Sequence, residues 1–186
     1  MINRISISKT FDWYLTEIMP VVEKHAIQSK YGYHGLYTHT AAVVFRGIDY
    51  VLSLGKEPKP VVFACAFHDM ARINDGNDTI HGPNAIPLAE TVMDKVDFID
   101  YNTRESIIYA IKNHSLSNLV PRDHISACLW DADRTRLAWE CGYYSNFFTT
   151  PRAHKVASQP AEEYLKFMQQ NISLRARGII ELGECY

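Results

Sequence analysis

Cysteine is scarce here and scattered. Cys65, Cys128, Cys141 and Cys185 form no Cys-x-x-Cys pair, and the first two sit inside apolar runs. That placement reads as buried free thiols in a reducing compartment and argues against a disulfide framework. An excess of one charge is also missing. Nineteen Lys and Arg stand against 21 Asp and Glu, giving a formal net charge of −2 with no basic tail or Lys/Arg run. No nucleic-acid polymer is therefore expected as a partner. No apolar stretch is long enough to span a bilayer, so no membrane partner is expected. The N-terminal stretch MINRISISKTFDWYLTEIM mixes charged and polar residues with apolar ones and lacks the apolar core of a signal peptide. The expected location is cytoplasmic. Repeats, low-complexity segments and paired alternating strands are absent as well.

What remains is a chain of 186 residues, 47% of them hydrophobic. It is long enough for a single domain over residues 1–186 that folds by apolar burial. The dominant period is helical. A first helix is predicted over residues 8–29, with Pro20 kinking or breaking it. The stretch SKYGYHG reads as a loop. A second helix runs from about Leu36 to Leu54, closed by Gly55 and Pro58. The run VVFACAF, from Val61, is apolar on nearly every side; it reads as a central buried helix, with a short buried strand as the alternative. NDGNDTIHGP is turn chemistry. Further helices are predicted from about Asn84 to Val96, from the capping pair Asn102 and Glu105 through His114, from Pro121 through HISACLWDADRTRLAWE, and from about Ala161 to Arg177. CGYYSNFFTTP reads as irregular, and its aromatics as packing. The fold class is all-α, a helical bundle.

Histidines and aspartates recur at the ends of these helices: His39, His68–Asp69, His81, His114 and Asp131. Asp69 ends an apolar run, and Asp131 follows Cys128-Leu129-Trp130. A carboxylate in such a place is costly to bury unless it is paired or bound to a cation. Two carboxylates entering one core from separate helices repel, and a divalent cation resolves the repulsion. Imidazole with carboxylate suits first-row divalent metals. Arg72 lies three residues after Asp69 and Arg134 three after Asp131, so each cation shares its aspartate's side of a helix. Either could bind phosphate or simply orient its neighbouring carboxylate. Lys112 is a third candidate cation, although a helix would turn it away from His114. Asp75, Asp78 and Asp133 read as turn or supporting residues.

The order His … His-Asp … Asp in an all-helical chain resembles the HD superfamily of metal-dependent phosphohydrolases. The stretches FHDMARINDGNDTIHGPNA and CLWDADRTRLAWECG are similar to a bacterial branch of small HD-domain proteins, and the likeness covers residues 34–157. It implies an HD-type bundle with a metal site at its centre. It implies His39, His68, Asp69 and Asp131 as ligands of a first ion, with His81 and His114 added for a second. His34-Gly35 is followed by LYT before His39, one residue longer than the branch spacing. His34 thus rivals His39, which falls inside the helical pattern and is preferred. The cofactor expected is a divalent transition metal, one or two ions, with Fe, Mn, Co, Ni, Zn and Mg all compatible. The function implied is hydrolysis of a small phosphate ester, a nucleotide being the leading example, by a metal-activated water. Asp69 and Asp131 would act catalytically, while Arg72, Arg134 and Lys112 would bind substrate. The same ligand order also resembles the HD-fold di-iron oxygenases, and a non-catalytic ligand-binding module is a third reading.

Overall fold

The computed structural model describes residues 4–178 apart from 77, 97, 98 and 117; Cys185 lies outside the described residues. The described chain is all-helical. Helix α1 (Arg4–Trp13) passes through a π-helical turn, Tyr14–Ile18, into α2 (Met19–His25). Pro20 sits in the first turn of α2, where its missing N–H costs little. The helical run therefore does not stop at Pro20, and a wider π turn lies just before it.

A loop then leads to a second π turn, Leu36–Thr40, and to α3 (Ala41–Ser53). Every residue from Ala41 to Val51 is buried, including Arg46 and Asp49. Helix α4 (Lys59–Phe67) is buried on all sides from Val61 to Phe67, which settles the helix against the strand alternative. Gly47 makes the crossing of α3 and α4 close: a Cβ there would lie 2.6 Å from Cys65 Sγ. Helix α5 (His81–Met93) packs on α6 (Tyr101–Asn113), and α6 and α7 (His124–Cys141) pack against α4. Trp130 of α7 is fully buried and donates its indole N–H to the Ala110 carbonyl of α6 at 2.9 Å, satisfying the one polar atom of a large apolar side chain.

The helix starts differ from those predicted. Helix α5 begins at His81 rather than Asn84. The cap of α6 is Asp100, which accepts from Thr103 N–H, rather than Asn102. Helix α7 starts at a reciprocal capping box of Asp123 and Ser126, two residues past Pro121. Where the stretch expected to be irregular ends, a helix that was not predicted begins, α8 (Pro151–Ala157), with Thr150 as its cap and Pro151 in its first position. The last predicted helix divides into α9 (Ala161–Asn171) and α10 (Leu174–Arg177). Cys65 and Cys128 are buried and Cys141 is exposed, all three as free thiols. No helix among the described residues is long and apolar enough to cross a membrane.

Candidate metal centre

Five stretches of chain bring imidazoles and carboxylates to one point. His34 comes from the loop before α3, and His39 from the π turn that opens it. His68 and Asp69 follow the last turn of α4. His81 opens α5, and His114 closes α6. Asp133 faces them from α7. The loop is held against the helix start by Leu36 N–H to the Ser29 carbonyl at 3.0 Å and Tyr37 N–H to the Lys30 carbonyl at 2.9 Å. Gly82 allows α5 to meet the end of α6, because a Cβ there would lie 2.7 Å from the Ile111 carbonyl oxygen.

Asp69 is the hub, and its two oxygens face different partners. Oδ1 lies 3.1 Å from His81 Nε2 and 3.7 Å from His114 Nε2. Oδ2 lies 3.4 Å from His34 Nδ1, 3.4 Å from His68 Nε2 and 3.7 Å from His39 Nε2. Asp133 adds an oxygen 3.1 Å from His39 Nε2 and 3.9 Å from His68 Nε2. Both rivals, His34 and His39, are therefore in the cluster.

The tautomers follow from the backbone. His68 Nδ1 meets the Cys65 carbonyl at 2.7 Å, His114 Nδ1 meets the Ile111 carbonyl at 2.7 Å, and His81 Nδ1 meets the Asp78 carbonyl. A carbonyl only accepts, so each ring donates Nδ1–H outward and turns an Nε2 lone pair inward. His81 and His114 then point Nε2 at each other across 2.8 Å. Asp69 Oδ1 and His34 Nδ1 are buried with no hydrogen-bond partner. Lone pairs and carboxylate oxygens converging without donors are the chemistry of a cation site. Overlapping triads, His34–His39–Asp69, His39–His68–Asp133 and His68–Asp69–His114, are each compact enough to hold a metal ion.

The electrostatics point the same way. Burial pushes His39 down to about 4 against the pull of Asp133 and Asp69, and it also lowers His114. Burial opposes charge on His68 too, but Asp69 beside it prevails and lifts that ring to about 9. Asp69 loses hydration, yet the charge of His68 beside it holds it well below the usual carboxylate range. Asp133 is likewise desolvated and held low by His39, His68 and His114. The carboxylates demand positive charge at the centre: they raise His68, and a divalent cation would meet the same demand while leaving every Nε2 a lone pair.

Asp131, expected among the ligands, does not join this cluster. It points to the opposite side of α7, where Thr149 N–H bonds both its oxygens at 3.0 and 3.2 Å and Thr150 N–H bonds one at 2.6 Å. Residues two apart on a helix point about 200° apart, so only one of Asp131 and Asp133 can face the centre. The signal for Asp133 was a polar stripe at helical spacing. Asp133 meets His39, Arg136 donates to the Tyr33 carbonyl at 2.8 Å, and Glu140 accepts from Tyr33 Oη–H at 2.5 Å.

The candidate cations divide. Arg72 reaches the site, 3.6 Å from Asp69 Oδ1 and 3.2 Å from both ring nitrogens of His81. Arg134 lines the same cavity but donates to the carbonyls of Phe147 (3.2 Å) and Leu116 (3.1 Å). Lys112 is exposed and does not line the cavity. That cavity, about 550 Å³, opens the cluster to solvent. Compared with known proteins, the chain matches no protein-family model, no curated protein and no solved structure.

Proposed function

We propose that the protein is an HD-type, metal-dependent phosphohydrolase acting on a small phosphate ester. One observation carries this reading. Three histidines pinned by main-chain carbonyls turn their Nε2 atoms toward Asp69 and Asp133 at the floor of an open cavity. His34, His39, His68, Asp69, His81, His114 and Asp133 would hold the metal. Asp69, with Oδ1 toward His81 and His114 and Oδ2 toward His34, His39 and His68, would serve the ligands on both of its sides. Bound divalent cations supply Lewis-acid stabilisation of phosphoryl charge and lower the pKa of water. Around them, the carbonyls of Cys65, Asp78 and Ile111 fix the ring orientations. Arg72, beside Asp69 and His81, adds positive charge where an anionic substrate would enter. Asp131 has a structural part in this scheme, and Asp133 takes the place first assigned to it.

The test is metal-reconstituted protein assayed against nucleotides, phosphosugars and aryl phosphates. Phosphate release that disappears in Asp69→Ala is expected, together with at least about a 100-fold loss of metal affinity in that variant, the upper end of what even an outer partner of a ligand is worth. Turnover no greater than that of Asp69→Ala on every phosphoester would end the proposal. The same ligand set also suits a di-iron oxygenase; Fe²⁺-dependent O₂ uptake without phosphate release would assign that chemistry instead.

A further inference from the structure

The cavity has two unlike halves. Its floor is the His/Asp cluster with Arg72. Its outer wall is built from Leu116, which follows α6, Leu137 of α7, and Tyr144, Phe147 and Phe148 of the segment between α7 and α8. Leu116, Leu137, Tyr144 and Phe147 are all exposed. Large apolar side chains gathered on the rim of one concave site mark a surface that a ligand covers. Tyr144 and Phe147 meet edge to face, with centroids 6.1 Å apart and planes at 82°. Together they offer both a ring face and a ring edge to an incoming aromatic group.

Arg134 makes this wall. Its guanidinium gives one arm to the Phe147 carbonyl and the other to the Leu116 carbonyl, and its carbon centre lies 5.3 Å from the Trp130 ring. It ties two separate apolar segments together across the cavity. Arg136 is similarly engaged, with Glu140 at 2.7 Å and the Tyr33 carbonyl at 2.8 Å. The arginine forks of α7 are thus committed to protein acceptors rather than held for a second phosphate or a row of hydroxyls. A sugar buried against this wall would leave hydroxyls without partners, a penalty that sites built for hydroxylated substrates avoid.

We infer that the cavity selects a substrate with one anionic head, seated at the His/Asp floor, and an aromatic body lying on the Leu116, Leu137, Tyr144 and Phe147 wall. Sugar phosphates and polyphosphates are disfavoured. This rests on the reading of the floor as an anion-binding metal centre, but not on hydrolysis.

The test uses the full chain loaded with Mn²⁺ and three non-hydrolysable probes measured by calorimetry: phenylphosphonate, methylphosphonate and 2-hydroxyethylphosphonate. Phenylphosphonate is expected to bind about tenfold tighter than methylphosphonate, the increment of burying part of one ring. 2-Hydroxyethylphosphonate is expected to bind no tighter than methylphosphonate. Phe147→Ala and Leu137→Ser sit on the exposed rim, so folding should survive; each is expected to cut the phenyl preference to about threefold or less. A phenyl preference that is absent, one unchanged in both variants, tightest binding of the hydroxyethyl probe, or no binding of any probe would each overturn the inference. The expected binding order without turnover of any phosphoester would instead sink the hydrolase proposal and leave this specificity standing.

Discussion

Asp131 and Asp133 sit on one helix, separated by a single alanine, and both come from a stretch of the chain rich in buried residues. Their surroundings are opposite in kind. Asp131 faces backbone donors, the N–H groups of Thr149 and Thr150 ahead of α8. Burial pushes its carboxyl up, against the pull of those N–H groups. Asp133 faces imidazoles, with His39 Nε2 at 3.1 Å, and its carboxyl is held low. A buried carboxylate met by N–H groups is structurally satisfied, whereas one met by inward lone pairs calls for a cation. Burial alone therefore does not mark a functional aspartate. The identity of the facing groups does.

The largest effect separating the two sides of α7 should come from metal. Mn²⁺ supplied at about 100 times its Kd should add about 2.7 kcal/mol to unfolding free energy. For a domain of this size that is roughly 5–10 °C in Tm. In Asp133→Asn, a loss of affinity of about 10–100-fold would shrink the increment to about 0.4–1.4 kcal/mol. In Asp131→Asn the whole increment should persist on a lower baseline. Scanning calorimetry with and without chelator reads both quantities, and equal shrinkage in the two variants would erase the distinction.

Removing Asp131 altogether should sharpen the structural side. Asp131→Ala leaves the Thr150 N–H, on a residue only 2% exposed, without its acceptor. The expected cost is about 2 kcal/mol. It should appear in urea as a lower midpoint at unchanged slope. A smaller effect belongs to the far end of the same connection. Thr150→Ala removes the hydroxyl that accepts from Ala153 N–H at the start of α8, for about 1 kcal/mol. If Thr150→Ala cost more than Asp131→Ala, the tie between α7 and the start of α8 would run through the cap rather than through the carboxylate.

The contrast also marks where the amino-acid sequence stops being readable. The all-α class was legible because the helices flanking VVFACAF carry helical periodicity and clear terminators, whereas that run itself, apolar on nearly every side, left a strand open. His39, His68, Asp69, His81 and His114 were legible because each polar residue sits at an end of an apolar helix. The choice between Asp131 and Asp133 was not. Helix α7 is buried around most of its circumference from Ile125 to Ala132, so apolar periodicity could not say which face meets α4. That orientation is set by distant partners: the Ala110 carbonyl for Trp130 and the Tyr33 carbonyl for Arg136. Arg134 was misleading for a related reason. Its neighbours in space, Leu116 and Phe147, come from segments without periodicity, and nothing local shows that their carbonyls will claim a guanidinium. Helix α8 was hidden by the aromatic run before it, although Thr150-Pro151 is a good start signal.

The smallest expected effect concerns Lys112, which sequence position alone made a candidate for binding substrate. It lies on α6 two residues before His114, and a helix turns residues at that spacing about 200° apart. His114 points into the cluster, so Lys112 must point away from it, and its exposure agrees. An exposed lysine far from the anion has little to contribute, because solvent and salt screen it. Lys112→Ala should change stability by no more than about 0.5 kcal/mol. It should leave both the Mn²⁺ increment and methylphosphonate affinity as they are, in contrast to Arg72→Ala, which removes a guanidinium 3.6 Å from Asp69. Titrating methylphosphonate into the two variants at low and physiological salt separates them. A salt-dependent loss in Lys112→Ala to match that in Arg72→Ala would mean that α6 presents its other face to the anion, and the division between a ligand side and a solvent side of that helix would have to be redrawn.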